Sequence, residues 1–150
     1  MGPDLLDVGE RTYDVLQPDP AVGCVGEHRG DRLPPLLGRE RGTGFFRELA
    51  ENPEDEQFPG VVLLRLDGGL FFATSDALED RVRDVALSTP GVTGIVLDCI
   101  AIEYIDSQGS AKMNEIVELT QQAGVTLRLA RLKPAIQAML QRDGVTWRQP

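Results

Sequence analysis

Asp106-Ser107-Gln108-Gly109 is the stretch of this chain best placed to do chemistry. A carboxylate and a hydroxyl stand side by side between an apolar run and a helix-forming segment. A helix start leaves backbone N–H groups unpaired and carries the positive end of the helix dipole. Anion chemistry would therefore sit most naturally at Asp106-Ser107. The structural role open to Ser107 is that of a capping or turn serine, bonding a backbone N–H of the helix. A second polar turn, Thr74-Ser75-Asp76, follows another apolar run and precedes another helical pattern.

The residue types for catalysis are missing. The single histidine, His28, lies in a Gly-rich polar stretch and reads as solvated, which removes a Ser-His-Asp set, a Cys-His pair and any two-histidine metal site. Carboxylates are many, but none has a spacing that demands general acid–base work. Gly42-Thr43-Gly44 and Gly68-Gly69 are too short to cradle a phosphate, and no Gly-x-x-x-x-Gly-Lys-Ser/Thr stretch exists. Cys24 and Cys99 lack metal-ligand spacing; Cys99 falls in a buried run and reads as a small core residue. No enzyme, no cofactor and no metal site are expected.

At 150 residues the chain suits one domain with a proper core. Its formal net charge of −9 argues against nucleic acid as a partner, because a phosphate backbone needs a basic surface. The charge is uneven: residues 1–57 hold 6 basic and 13 acidic side chains, residues 58–150 hold 9 and 11. Residues 1–31, rich in Gly, Pro and acid, read as an arm or linker, and 32–150 as the folded domain. No run reaches the roughly 18–20 apolar residues of a membrane span, and no signal peptide is visible. The chain itself is expected to be soluble.

The elements that must position the two polar turns can be read from periodicity. The run 94–100 is apolar and β-branched, a buried strand. After the Asp-Ser turn, 110–123 reads as helix, with Met113, Ile116, Val117, Thr120 and Ala123 on one face. Earlier, 61–66 is a strong strand, Asp67-Gly68-Gly69 a turn, and 70–73 a second short strand. Thr74 or Ser75 then caps a helix whose early acids Asp76, Glu79 and Asp80 suit its dipole and whose buried face is Leu78, Val82, Val85 and Ala86. In a strand at 70–73, Phe71 and Phe72 would point to opposite faces. The ring of Tyr104 and at least one of these phenylalanines are expected in the core; otherwise they form a docking patch. A strand over 126–131 buries Leu127 and Leu129. Pro134 opens a last helix with Ile136, Met139 and Leu140 inward, stopped at Asp143-Gly144. The segment 33–41, with Pro34 and Pro35, is expected at a sheet edge. Trp147 has no obvious place in the core. The order predicts an α/β fold, a mixed central sheet of four to five strands with helices packed on it.

Val96-Leu97-Asp98, Ile105-Asp106-Ser107-Gln108-Gly109, Gly124-Val125-Thr126-Leu127 and Leu129-Ala130-Arg131-Leu132-Lys133-Pro134, in that order, resemble a STAS domain. This module is shared by anti-sigma-factor antagonists and the cytoplasmic tails of SulP anion transporters. Leu37-Gly38-Arg39, Gly42-Thr43-Gly44, Phe46-Arg47, Pro53-Glu54 and Pro59-Gly60 are similar to the opening segment of the SulP type and favour that branch. The chain departs from the family in stopping shortly after Gly144, where members usually add a strand and a helix.

The resemblance implies the STAS (anti-sigma-antagonist-like) fold. It implies a regulatory domain at the cytoplasmic face of the inner membrane, part of a transporter for sulfate or a similar anion. Its partner would be the transmembrane domain of that transporter, with regulatory proteins or a weakly bound nucleotide as further partners. Both polar turns lead from a strand into a helix, so in a sheet of this order they sit at the same carboxyl edge, which ligands and partners of α/β folds tend to use; the candidates there for partner or nucleotide contact are Thr74, Ser75, Asp76, Tyr104, Asp106, Ser107, Gln108 and Gly109. The alternative is a free-standing anti-sigma-factor antagonist. In that class the serine after this aspartate is phosphorylated by a partner kinase, and Ser107 matches it.

Overall fold

The computed structural model describes residues 33–147. The arm at 1–31, with His28 and Cys24, lies outside the described residues. The elements in chain order are β1 (Leu36–Arg39), β2 (Phe46–Glu48), β3 (Val61–Arg65), α1 (Phe72–Ser88), β4 (Gly94–Asp98), α2 (Ser107–Gln122), β5 (Thr126–Ala130) and α3 (Pro134–Arg142). They form one mixed sheet of order β2-β1-β3-β4-β5. β1 runs antiparallel to β2 and β3, whereas β3, β4 and β5 are parallel neighbours.

Parallel neighbours need crossover connections, and α1 and α2 supply them. Leu78, Val82 and Val85 of α1, Met113, Ile116 and Val117 of α2, and Ile136 and Leu140 of α3 share one core with Leu64, Ile95, Leu97, Leu127 and Leu129. All three helices thus cover the same sheet face. Leu37, Val61, Leu63, Val96 and Ala130 form a smaller cluster on the other face, with Phe46 and Phe58 beside it. Every residue of β4 is buried, which is why its sequence is a continuous apolar run and not an alternation.

Four expectations are corrected. β1 is an interior strand; it begins after Pro34 and Pro35, so no proline enters the ladder, and the three-residue β2 takes the edge. The run 70–73 is not a strand. Only Leu70 makes a bridge, with Ile105, and α1 begins at Phe72, so Asp76, Glu79 and Asp80 fall beyond its first turn. Tyr104 is 59% exposed instead of lying in the core, and Phe71 is 41% exposed. Trp147 does find a place: it packs partly buried against the main core.

Between the two crossover helices, Lys112 Nζ lies 2.7 Å from Glu79, 2.9 Å from Glu115 and 3.4 Å from Asp76. The bond from Lys112, opposed by partial burial and helped by Arg83, holds the Glu79 carboxyl below its ordinary pKa. Both sheet faces are closely filled, so truncation on either is expected to leave a cavity. Ile116→Ala, on the helix side, should cost about 2–5 kcal/mol, and Val96→Ala, on the other face, about 1–3 kcal/mol. Urea unfolding of the two variants checks this; no loss at either site contradicts the packing described.

Candidate functional site

Because β3 and β4 are parallel neighbours, their outgoing loops leave at the same end of the sheet. The loops then join. Leu70 N–H donates to the Tyr104 carbonyl at 2.8 Å, and Asp106 N–H donates to the Leu70 carbonyl at 3.4 Å. The start of α2 presses against this junction so closely that a Cβ on Gly109 would stand 2.1 Å from the Leu70 carbonyl oxygen. No side chain fits there, so Gly109 is required by close approach. The turn opening the β3–α1 loop uses Gly68 at φ +93°, a left-handed backbone that favours glycine.

Asp106, not Ser107, caps α2. Its backbone is extended, and its Oδ1 accepts a 2.7 Å hydrogen bond from Gly109 N–H. Ser107 and Gln108 occupy the first two helical positions and are exposed. Among the described residues, the Ser107 hydroxyl has no hydrogen-bond partner. The capping role read for Ser107 in the sequence thus falls to the carboxylate one residue earlier.

Thr74 does not cap α1 in the forward sense either. It stands at the third helical position, its hydroxyl accepts from Phe71 N–H at 3.1 Å, and it donates to the Gly69 carbonyl at 2.6 Å. It therefore reaches back and ties the helix start to the β3–α1 loop. Ser75 is 1% exposed and belongs to the interior. Asp76 faces Lys112 on the flank where α1 meets α2. Of the eight residues singled out in the sequence, Tyr104, Asp106, Ser107, Gln108 and Gly109 share one loop and helix start at the carboxyl edge. Thr74 touches that edge from behind, while Ser75 and Asp76 are turned away from it.

Beneath the edge lies a charge cluster that sequence reading missed. Asp98 closes β4 and is 1% exposed. It accepts from Arg65 Nε at 3.1 Å, Arg131 Nε at 2.9 Å and Ile100 N–H at 3.2 Å, and pairs with a second Arg131 nitrogen. Arg65 ends β3 and stands opposite Asp98, as does Ala130, the residue before Arg131. Arg131 takes φ +56°, a conformation uncommon for a residue with a side chain. The signal was present: three neighbouring strands each finish in or beside a charge, but only the strand register shows that the charges meet. Lys133 pairs with Glu103, linking the β4–α2 loop to the β5–α3 connection. Asp67, in the β3–α1 loop, is exposed as a residue, yet its carboxyl pKa is raised by partial loss of hydration and by Asp98, with Arg65 opposing. The buried Cys99 thiol is pushed well up by burial, so it stays protonated and unreactive.

The fold and this edge define a class of small α/β module: three loops fastened from below, presenting polar and aromatic side chains outward. Residues 52–146 match the STAS domain family, and the chain belongs to it. Among curated relatives, the probable sulfate transporter 4.2 of Arabidopsis thaliana is 24% identical over 120 residues, covering 73% of this chain and 18% of that protein. The high affinity sulfate transporter 2 of Stylosanthes hamata is 24% identical over 110 residues, covering 67% and 17%. The chain thus spans less than a fifth of the length of these relatives. Among solved structures, the murine solute carrier 26 family member A9 anion transporter superposes with TM-score 0.66 at 14% identity, over 74% of this chain and 18% of that one. The anti-sigma factor antagonist SpoIIAA in its unphosphorylated form gives 0.50 at 14% identity, over 64% and 84%. Both share the fold. Among the described residues, no helix is long and apolar enough to cross a membrane.

Asp106 and Ser107 should separate cleanly by substitution. Asp106→Ala removes the cap and is expected to cost about 0.5–2 kcal/mol. Ser107→Ala and Ser107→Asp should stay within about 0.5 kcal/mol of the parent chain. Thermal melts of the three variants decide it: a large loss at Ser107 with none at Asp106 would reverse the assignment.

Proposed function

We propose that this chain is the cytoplasmic STAS regulatory domain of a SulP-type sulfate or anion transporter. It acts without catalysis, by docking its carboxyl edge against the transmembrane domain. One observation carries the proposal: the two curated relatives align with two thirds or more of this chain yet extend far beyond it, and both are named sulfate transporters. The geometry supports a docking role. The edge is fastened underneath by Asp98 and by the Leu70–Gly109 contact, while Tyr104, Ser107 and Gln108 stay exposed. A rigid base with exposed side chains suits recognition better than bond-making, since no group at the edge is paired as nucleophile and base.

The second reading, a free anti-sigma-factor antagonist, is favoured by Ser107 alone. Its exposed hydroxyl stands at the first position of α2, so a phosphate there would add about −1.5 to −2 of charge to the docking surface beside free helix N–H groups. Fractionation of the source cells, probed with an antibody to this chain, distinguishes the two. A transporter domain is expected in the membrane pellet on a polypeptide several times larger than 16.4 kDa. A soluble band near 16.4 kDa would overturn the transporter role and favour the free switch.

A further inference from the structure

Phe71 and Tyr104 are two of the few large apolar side chains left in solvent, 41% and 59% exposed. They come from different loops that the fold holds together. Tyr104 accepts the backbone bond from Leu70, the residue before Phe71. The Phe71 ring folds back over Gly69: a Cβ on Gly69 would stand 3.0 Å from the ring edge and 3.5 Å from the Tyr104 carbonyl. The Phe71 ring therefore rests on bare backbone beside the Tyr104 carbonyl, and the loops that carry the two rings are pinned together. An aromatic pair fixed in this way is available to a partner with little ordering cost.

The charges nearest the two rings along the chain are carboxylates. Asp67 lies in the Phe71 loop and is exposed, Glu103 precedes Tyr104 and is 77% exposed at its side chain, and Asp106 follows two residues later. The nearby cations are committed elsewhere. Arg65 and Arg131 turn inward to Asp98, Lys133 pairs with Glu103, and Lys112 faces Asp76, Glu79 and Glu115. Aromatic faces attract guanidinium and ammonium groups, and the carboxylates add to that field.

We propose that Phe71 and Tyr104, with Asp67, Glu103 and Asp106 in the same two loops, form the docking surface for an arginine- or lysine-bearing apolar segment of a partner protein. The inference rests on the carboxyl edge being the docking surface, and does not depend on which protein carries this domain. It names the partner's chemistry: cationic side chains over the rings and toward the carboxylates, and an apolar side chain between the rings. The loops of membrane proteins that face the cytoplasm carry an excess of Lys and Arg, so a transmembrane partner would meet this requirement.

The test uses the whole chain and a labelled helical peptide with Arg and Leu along one face, alongside a counterpart with Glu replacing Arg. Binding is read by fluorescence anisotropy. The Phe71→Ser/Tyr104→Ser variant is expected to weaken binding of the Arg peptide about tenfold or more. Asp67→Asn/Glu103→Gln should weaken it more than Glu51→Gln/Glu54→Gln, which removes the same charge from the β2–β3 connection. If the double ring variant melts early, Tyr104→Ser alone replaces it, its ring being mostly in solvent. Equal losses from the two charge variants would reduce the effect to net charge and overturn the proposal. So would an unchanged ring variant, or preferential binding of the Glu peptide or of phosphatidylglycerol vesicles. If the edge is protected in the intact parent protein while the Arg peptide fails to bind, the partner chemistry is wrong and the docking surface stands.

Discussion

Backbone meets backbone where α2 begins: Gly109 lies against the Leu70 carbonyl with no room for a methyl group. The carboxyl edge depends on that contact. It brings the β3–α1 loop, the β4–α2 loop and the first turn of α2 into one surface, although Leu70 stands more than thirty positions before Tyr104 and Gly109. Leu70 sits between them, buried and bonded on both sides, to Tyr104 and to Asp106. Asp98 does the same work one layer down. A carboxylate this buried needs partners, and the ends of the two flanking strands supply them as Arg65 and Arg131. Removing one partner would leave the other charges poorly satisfied, so the cluster ties the three strand ends together.

That arrangement separates fastening from display. The charges that hold the edge together point into the protein. The side chains at its rim, Phe71, Tyr104, Ser107 and Gln108, make few contacts of their own. Membership of the STAS domain family fits such a division, since the same fold occurs in an anion transporter and in an anti-sigma factor antagonist. The fold alone therefore does not fix what the rim binds.

Much of this was legible in sequence wherever burial imposes a period. β4 is a continuous apolar run because both its faces are covered, and α2 repeats its apolar residues every three or four positions because one face is covered. The parts that were not legible depend on contacts between segments. Phe71-Phe72-Ala73 looks like a strand by composition, yet Thr74 captures the Phe71 N–H and the helix begins at Phe72. β2 is too short to carry an alternation, and β1 was assigned to an edge because of prolines that precede it. Tyr104 followed a hydrophobic strand and read as core, but the chain has already turned outward there. The Asp98 cluster needed the strand register, which no local pattern supplies.

The central claim is that the loops joined at Leu70 and Gly109 form the surface this domain uses to bind. Hydrogen-exchange mass spectrometry tests it most directly, comparing this chain alone with the same residues within the longer membrane polypeptide that the proposed function calls for. Added protection is predicted over 66–74 and 101–110, with the outer surfaces of α1 and α2 unchanged. Protection confined to those helix surfaces, or to the β2 edge, with the two loops exchanging as in the isolated chain, would contradict the account.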